Sequence, residues 1–268
     1  MLLSEVRYAR PATLEQALGV LAENPGARGL AGGQTLINVM KARAASPDVL
    51  VDLNGLEELR SIERDGDGAL RIGSMVTYAQ LMRDSAVAET RPILAEVAAQ
   101  IADVQVRNRG TIGGNICSND PTNHLPPLMC AVGARMTIAG AAGERTVTAD
   151  DFFLGVYVTA VGPGELLTKI TVPAGKHDGF AAVTLGADGT CIANAAASID
   201  GGLRIALGCV DAVPIVVEPA STDEAAVREA VRGAGLDPPA DVHASSDYRA
   251  HLAEVLAVRA ARQAAEGR

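Results

Sequence analysis

The chain has 268 residues, of which 48% are hydrophobic and 21% are charged, and its formal net charge is −9. This composition excludes a disordered chain, and no apolar run approaches the roughly 18 residues that a membrane-spanning helix needs. The net negative charge argues against a nucleic-acid partner, because duplex binding needs a basic face.

The N-terminal segment does not have the pattern of a signal peptide, since residues 1–10 contain no basic region followed by an apolar one. We therefore expect a cytoplasmic protein without a membrane span. The first helix is predicted to begin at Thr13, with Gln16 completing a capping box, and to end at Asn24-Pro25-Gly26.

A strand, a turn and a helix are predicted next. The strand runs into Leu30 and Ala31, and a glycine pair follows it directly. Residues 36–41 are predicted to form the helix that opens after this turn, which would direct its N-terminal N–H groups toward a bound phosphate. Residues 49–53 are apolar enough to form a buried strand.

The next part of the chain alternates between short regular elements and loops. Residues 69–73 are predicted to form a strand, and a short helix over residues 77–83 begins with a capping box. A longer helix is predicted to begin at Pro92 and to extend to Ile101. Residues 103–123 have little periodicity and many turn residues, so we expect a loop-rich, functional segment there.

The second half of the chain consists mainly of predicted strands, followed by two helices. Residues 173–179 are polar and turn-rich and are the candidate linker between two units. Asp200-Gly201-Gly202 predicts a hairpin turn. The predicted strands are residues 135–139, 146–148, 166–172, 181–185, 192–199 and 203–209, and the predicted helices are residues 223–232 and 247–263.

Two segments that each contain a glycine pair lie eighty positions apart, and each has the pattern of a turn that follows an apolar stretch. They are Ala31-Gly32-Gly33-Gln34-Thr35 and Thr111-Ile112-Gly113-Gly114-Asn115. A pyrophosphate needs several converging backbone N–H groups, and glycine lets the main chain approach closely and adopt positive φ. Short polar side chains beside each pair can supplement those donors. The two segments together predict one anion-binding site, although each pair alone is also typical of an ordinary turn.

The cysteines and histidines do not predict a metal site. Cys117, Cys130, Cys191 and Cys209 are far apart and form no C-x-x-C pair, which argues against an iron–sulfur cluster or structural zinc in this chain. Cys117 follows the second glycine pair, but a buried, unreactive thiol is the preferred interpretation. The four histidines lack the spacing of metal ligands, and no catalytic triad has a clear signature.

The longer segments around both glycine pairs resemble the FAD-binding (medium) subunits of molybdenum hydroxylases. The similar segments are residues 30–36, Lys41, Val51-Asp52-Leu53, residues 107–116, Asp120-Pro121, and residues 164–167 and 170–173. That family includes the flavoprotein subunits of carbon monoxide dehydrogenases and the flavin domain of xanthine dehydrogenases. The similarity covers about residues 1–210, which is most of the chain.

The resemblance implies an α+β fold. Residues 1–175 would form an FAD-binding domain of the PCMH type, itself made of two α/β subdomains of about residues 1–55 and 56–175. Residues 178–268 would form a smaller domain of antiparallel sheet with helices, of the carbon monoxide dehydrogenase flavoprotein type. Neither glycine pair belongs to a G-x-G-x-x-G motif, so a Rossmann dinucleotide site is not predicted.

The resemblance also implies a set of cofactor-binding residues between the two subdomains. Residues 31–35 and the second glycine segment would hold the pyrophosphate from two sides, and Leu167 would pack near the flavin ring. Asp120 would bond a ribityl or ribose hydroxyl, although Asp-Pro is also a common turn opener. The complete set is Ala31, Gly32, Gly33, Gln34, Thr35, Thr111, Gly113, Gly114, Asn115, Asp120, His124 and Leu167.

Three residues depart from the family pattern. His124 stands where the family usually has an aspartate four residues after Asp120, so a cofactor hydrogen bond there is either lost or made by imidazole. Ala182 stands near where many members carry a lysine, and Thr190 near where some place a tyrosine over the flavin ring. We expect the redox tuning of the flavin to differ accordingly, because a nearby positive charge stabilises the anionic reduced form.

The function that the resemblance implies is electron transfer rather than substrate hydroxylation. In the family, a large subunit holds the molybdenum cofactor, a small subunit carries two [2Fe-2S] clusters, and FAD on the medium subunit passes electrons to an external acceptor. A dimer of such heterotrimers is the expected assembly, and no catalytic residue is expected on this chain itself.

Two alternatives to this function remain open. The first is a stand-alone flavin-dependent reductase of the same fold, which would need substrate-binding basic residues in the second unit. Residues 178–215 contain only Arg204 as a basic residue, which argues against it. The second is a scaffold subunit that has lost its flavin, and the intact glycine pairs argue against that loss.

Overall fold

The computed structural model describes residues 3–186 and 189–267 of the chain. The strands are β1 Arg7–Ala9, β2 Ala27–Leu30, β3 Val49–Asp52, β4 Ile62–Arg64, β5 Leu70–Gly73, β6 Arg135–Gly140, β7 Gly143–Thr148, β8 Phe153–Gly155, β9 Val158–Thr159, β10 Leu166–Val172, β11 Asp178–Thr184, β12 Cys191–Ser198, β13 Arg204–Gly208 and β14 Ile215–Val217. The helices are α1 Leu14–Glu23, α2 Leu36–Lys41, α3 Tyr78–Leu81, α4 Ser85–Thr90, α5 Ile93–Ala99, α6 Val104–Arg109, α7 Ile112–Ser118, α8 Leu125–Ala131, α9 Ala149–Phe152, α10 Glu224–Gly233 and α11 Ser246–Glu266, with a short 3-10 helix at Glu57–Leu59.

The first sheet is small and parallel, with strand order β1-β3-β2. Its central strand, β3, is buried along its whole length, as its apolar sequence predicts. Helix α1 begins as expected, because the Thr13 side chain accepts a hydrogen bond from the backbone N–H of Gln16. The predicted capping box is incomplete, since the Gln16 side chain instead accepts from the N–H of Ala12.

The second sheet is antiparallel, with strand order β4-β5-β10-β6-β7. Helices α4 and α7 contact its strands. Buried residues of α3, α4, α5, α7 and α8 form the main hydrophobic core together with the strands. Helix α3 begins with the predicted capping box, in which Thr77 and Gln80 exchange hydrogen bonds. Strands β8 and β9 form a separate two-stranded hairpin after α9.

The third sheet is antiparallel and contains β11, β12, β13 and β14 in chain order. Strand β12 is buried along its whole length, because α11 lies on one face of this sheet and α8 on the other. Residues 200–202 make the predicted turn between β12 and β13, with positive φ at both glycines. Because Phe180, Ala196 and Ala206 of this sheet lie in the same hydrophobic core as α8, the sheet is packed firmly against the preceding helices.

The structure overturns the prediction that residues 103–123 are loop-rich. They contain two helices, α6 and α7, separated only by Gly110 and Thr111. Each helix begins with a side-chain cap, because Asp103 accepts from the N–H of Val106 and Thr111 accepts from the N–H of Gly114. The capped first turns outweigh the glycine and asparagine content that suggested a loop.

The candidate linker is shorter than predicted, because β11 already begins at Asp178. Asp178 is buried, and it accepts two hydrogen bonds from Arg91, which is 1% exposed. The same guanidinium donates to the carbonyl oxygen of Pro173 at 3.0 Å and to the Ser198 hydroxyl at 2.8 Å. Arg91 therefore ties the second sheet's helices to the third sheet across this connection.

The mixture of helices with parallel and antiparallel sheets confirms the α+β class. The division into residues 1–175 and 178–268, and the subdivision near residue 55, remain predictions. None of the helices in the described ranges is both long and apolar enough to span a membrane.

Candidate functional site

The two glycine segments meet in the structure. A Cβ added to Gly32 would lie 2.1 Å from the carbonyl oxygen of Arg109 and 2.9 Å from the Cα atom of Gly110. A Cβ added to Gly114 would lie 3.6 Å from the Cβ of Ala31. Since real Cβ atoms do not approach backbone oxygen this closely, only glycine at position 32 lets the segments approach as they do.

The first segment leaves several backbone N–H groups without acceptors. It connects β2 to α2, and Gly33 adopts a φ of 73°, which lies in the left-handed region. In residues 3–186 and 189–267, no acceptor takes the N–H groups of Gly32, Gly33 or Gln34. Successive free N–H groups at such a turn form a concave site for an anion.

The second segment is not the predicted turn, because its glycines lie inside a helix. Gly113 and Gly114 lie in the first turn of α7, and their N–H groups are already used. Gly113 donates to the carbonyl oxygen of Ser74 at 2.9 Å, and Gly114 donates to the Thr111 Oγ1 atom at 3.0 Å. The second segment therefore supplies shape and side chains, while the first supplies free backbone donors.

Asn115 presents an unpaired acceptor beside this junction. Its side chain is 8% exposed, and its Oδ1 atom has no hydrogen-bond partner within the described part of the chain. Its own carbonyl oxygen accepts from the Asn123 side chain at 3.1 Å, which joins α7 to the loop after it. A buried acceptor without a donor is costly, so this atom fits a ligand hydroxyl.

Asn54 holds the first segment in place, a role that the sequence motifs did not indicate. Its Nδ2 atom donates to the carbonyl oxygen of Ala31 at 3.1 Å and to Asp52 Oδ1 at 2.7 Å. Burial raises the pKa of Asp52. Hydrogen bonds from Tyr8 and Asn54 have the opposite and larger effect, so the pKa of Asp52 lies below its usual value. Asp52 thus stays charged and orients Asn54.

Asp120 is bound by neighbouring side chains at the surface of the site. Its Oδ1 atom accepts from the Thr122 hydroxyl at 2.8 Å, and its Oδ2 atom accepts from the Tyr157 hydroxyl at 3.1 Å. Tyr157 lies at the tip of the β8–β9 hairpin with a φ of 59°. Burial, together with the Asp120 charge, raises the pKa of Tyr157, which keeps it a hydrogen-bond donor.

His124 and Leu167 are both buried. The His124 ring lies against Phe180, with 5.3 Å between ring centroids, and its Nδ1 atom has no partner among the described residues. Leu167 lies in β10 and belongs to the main core together with Ile112 and Ile116. The cofactor roles of both residues remain predictions. Ala182 is half-buried in β11, and Thr190 is exposed.

The cysteines that appeared unrelated in the sequence fall into two groups. Burial raises the pKa of Cys117 to about 12 and raises that of Cys130 as well, which suits unreactive thiols. Cys191 and Cys209 instead lie together beside His124. No group of three or more His, Cys, Asp or Glu side chains is arranged to hold a metal ion within the described residues.

Comparison with known proteins identifies the family. Residues 4–175 match the family model described as the FAD binding domain in molybdopterin dehydrogenase. This chain belongs to the FAD-binding medium subunits of molybdenum hydroxylases. These proteins are components of oxidoreductases, so the function class expected from the resemblance is confirmed.

Relatives of this medium subunit cover almost its whole length. It is 36% identical over 277 residues to the carbon monoxide dehydrogenase medium chain of Afipia carboxidovorans, with 96% of each chain covered. It is 32% identical over 272 residues to the nicotine 6-hydroxylase medium subunit of Paenarthrobacter nicotinovorans, again with 96% of each chain covered.

Solved structures agree with this fold of the medium subunit. A chain of quinoline 2-oxidoreductase from Pseudomonas putida 86 is similar with a TM-score of 0.91 and 36% identity, covering 100% of this chain and 99% of that one. A chain of the Cu,Mo-CO dehydrogenase is similar with a TM-score of 0.92 and 34% identity, with 100% of both covered.

The residues of this medium subunit fit FAD. The free N–H groups of Gly32, Gly33 and Gln34 suit the oxygens of a pyrophosphate, and Gly32 removes the side chain that would fill the junction. The unpaired Asn115 Oδ1 atom suits a sugar or ribityl hydroxyl. The donors thus suit the pyrophosphate of FAD, and the acceptor suits one of its hydroxyl groups.

Proposed function

We propose that this chain carries FAD and transfers electrons from a [2Fe-2S] partner to an external acceptor. The single observation that carries the proposal is the contact between the two glycine segments. Their approach at Gly32 and Arg109 brings free backbone donors beside a buried, unpaired acceptor at Asn115. A scaffold subunit without flavin would not need this junction.

The residues of the chain would bind and orient the cofactor. Residues 31–35 would hold the pyrophosphate through backbone N–H groups, and Thr111, Gly113 and Gly114 would form the opposite wall. Asn115 and Asp120 would accept hydrogen bonds from hydroxyl groups, and His124 and Leu167 would pack beneath them. When bound, FAD supplies the redox chemistry, and the protein supplies position and electrostatics.

The proposed partners are a large subunit with the molybdenum cofactor and a small subunit with two [2Fe-2S] clusters. Support comes from relatives named as medium chains, a name that indicates subunits of multi-subunit complexes. We further propose a cytoplasmic dimer of heterotrimers, and the two domains of residues 1–175 and 178–268. The family match over residues 4–175 and the separate sheet of β11 to β14 support that division.

A stand-alone reductase is less consistent with the C-terminal sheet. Arg204, the basic residue that such an enzyme would use for its substrate, is already bound on three sides. It donates to the carbonyl oxygen of Cys130 at 2.9 Å, to Glu218 at 2.7 Å and to Asp150. Its guanidinium is therefore a link between the sheet and α8 rather than a free anion site.

Purification of the tagged chain from its own cells tests the proposal. We expect two further subunits to co-purify, with molybdenum and iron in metal analysis and one FAD per tagged chain. Substrate-driven reduction of the iron–sulfur absorbance, followed by bleaching of the flavin, would give the order of electron flow. A chain that purifies alone and reduces a small substrate with its own flavin would contradict the proposal.

The Asn54 tether gives a first prediction. Asn54→Ala removes the hydrogen bond to the Ala31 carbonyl oxygen, so the free N–H groups lose their fixed position. One such bond contributes about 1 kcal/mol, and we expect the FAD dissociation constant to rise roughly fivefold to tenfold in a fluorescence titration. The matched control is Asn108→Ala, whose side chain donates to the Val104 carbonyl oxygen of its own helix. Equal FAD affinities of the unsubstituted chain, Asn54→Ala and Asn108→Ala would show that Asn54 does not fix the first segment.

The departure at Ala182 gives a second prediction. Ala182 lies opposite Asn194 in the third sheet. It packs against the same core as Phe180, whose ring contacts His124, so a lysine there adds a positive charge on that face of the sheet. We expect Ala182→Lys to raise the flavin reduction potential by roughly 30 mV, about 1.4 kcal/mol for two electrons. Ala182→Met adds similar length without charge and should leave the potential unchanged. A potential in Ala182→Lys equal to or below the natural one would contradict this expectation.

A further inference from the structure

Cys191 and Cys209 lie together in a buried polar cluster, and neither cysteine belongs to the proposed flavin site. Cys191 begins β12, and Cys209 directly follows β13, so the two strands bring the sulfurs to the same end of the sheet. The Asn194 Nδ2 atom lies 3.4 Å from the Cys191 sulfur and 3.6 Å from the Cys209 sulfur. One side-chain amide thus bridges the pair, and neither cysteine forms a disulfide in the structure.

The Asn194 amide donates a hydrogen bond to the Cys191 sulfur. The Cys209 thiol and the His124 ring lie beside the same sulfur. Together these neighbours, with Cys209 as the strongest influence, outweigh burial and lower the pKa of Cys191 below its usual value. The hydrogen bond to Cys191 and burial raise the pKa of Cys209 well above its usual value, so Cys209 remains the thiol of the pair.

The surroundings of the pair contain further unusual features. The Asn194 Oδ1 and His124 Nδ1 atoms are buried and have no hydrogen-bond partner within the described residues. Cys209 adopts a φ of 65°, which a residue with a side chain rarely adopts. The buried guanidinium of Arg249 donates to the Cys209 carbonyl oxygen at 3.3 Å and lowers the pKa of Cys209, whereas the charge of Asp120 raises it.

A simple structural role does not account for this arrangement. Cys117 shows what packing alone produces, because burial by itself raises the pKa of its thiol. The Cys191 sulfur instead accepts from the Asn194 amide, which favours the thiolate, the nucleophilic form of cysteine. The same amide also contacts the Cys209 sulfur, and a thiolate needs such a neighbouring cysteine to resolve its oxidised form.

We propose that Cys191 and Cys209 form a redox-active dithiol site that reduces hydroperoxides and closes to a disulfide. The Cys191 thiolate attacks the outer peroxide oxygen, forming an S–O bond and breaking the O–O bond. The alkoxide or hydroxide that leaves takes up the proton that Cys191 released on ionising, and departs as alcohol or water. The Cys209 sulfur then attacks the resulting sulfenic acid, forming the S–S bond and releasing water with the Cys209 proton. Two thiols are oxidised by two electrons, and one hydroperoxide is reduced.

Burial determines which oxidants reach the site. Cys191 is 1% exposed and Cys209 is 3% exposed, so large or charged oxidants are kept from the sulfurs, and hydrogen peroxide is the oxidant for the test. The site adjoins the loop that carries Asp120, because Asn194 also donates to the Asn123 carbonyl oxygen at 3.3 Å. The dithiol chemistry does not require bound FAD, so the site can be tested whether or not the proposed function holds.

Peptide mapping of the oxidised full-length chain tests this proposal. The chain is treated with stoichiometric hydrogen peroxide, the remaining thiols are blocked in denaturant, and tryptic peptides are analysed by mass spectrometry. Cleavage after Arg204 places the two cysteines on separate peptides, so a bond between them appears as a joined pair. We expect two of the four thiols to be lost, the joined pair to form, and dithiothreitol to restore both thiols.

Variants separate the pair from the other cysteines. Cys191→Ser should keep all of its remaining thiols under the same treatment, whereas the control Cys117→Ser should still lose two. If the unsubstituted chain retains four thiols at tenfold excess peroxide, the proposal is wrong. A bond to Cys117 or Cys130, or over-oxidation of Cys191 without any bond, would overturn it equally. Because the map of the unsubstituted chain is sufficient, a variant that fails to fold does not affect the test.

Discussion

Gly32→Ala is expected to weaken FAD binding by at least about 100-fold, which corresponds to roughly 2.7 kcal/mol. The added Cβ would lie 2.1 Å from the carbonyl oxygen of Arg109, so the two glycine segments must separate by roughly 1 Å to relieve the overlap. That movement carries the free N–H groups of the first segment away from Thr111 and Asn115. The dissociation constant is measured by titrating the flavin-free chain with FAD and following flavin fluorescence.

Gly19→Ala is the matched control for this experiment. Gly19 lies in α1, which packs against the first sheet, and nothing lies within 4 Å of a Cβ added there. This variant should bind FAD like the natural chain, and its helix should be slightly more stable because alanine favours helices over glycine. Circular dichroism establishes that both variants are folded. A folded Gly32→Ala chain with unchanged FAD affinity would show that the junction does not form the binding site.

Arg91→Met is expected to destabilise the chain by about 3–5 kcal/mol, the largest stability effect that the structure predicts. The Arg91 guanidinium lies 2.5 Å from Asp178 Oδ1 and 2.7 Å from Oδ2, and the two side chains are 1% and 3% exposed. Methionine fills much of the volume but leaves the Asp178 carboxylate buried without its cation. Urea unfolding monitored by circular dichroism gives the free-energy change.

Two further variants control for this effect. Arg64→Met removes an exposed ion pair, because Arg64 and Glu89 are 45% and 68% exposed, and should cost less than about 1 kcal/mol. Replacing Asp178 as well, in Arg91→Met with Asp178→Leu, removes the unpaired charge and should recover much of the lost stability. If Arg91→Met costs no more than Arg64→Met, the buried pair does not hold the third sheet against the helices.

Local patterns in the sequence were sufficient for elements that depend on local forces. Strand β3 and helix α2 were predicted almost to the residue, because an apolar run and a helical repeat between turn residues allow few alternatives. The capping box at Thr77 was correct for the same reason. Helices α6 and α7 were missed, since the three glycines and four asparagines of residues 103–123 outweighed the caps at Asp103 and Thr111.

The site was predictable in outline and not in its details. The meeting of the two glycine segments followed from the chemistry of an anion site, and the structure places Ala31 against Gly114. The use of the second pair inside a helix did not follow, because tertiary contacts with Ser74 determine where its N–H groups point. The Asn54 tether, the Tyr157 contact and the Cys191–Cys209 cluster join distant segments, and no local pattern signals such contacts.

The FAD content of the purified chain decides whether this subunit is a flavoprotein. The visible spectrum is recorded, and the cofactor released by denaturation is identified and quantified against protein concentration. We predict one FAD per chain, either as purified or after adding FAD, and loss of that flavin in the folded Gly32→Ala variant. A colourless chain that does not take up added FAD would contradict the account and leave a flavin-free scaffold as the better explanation.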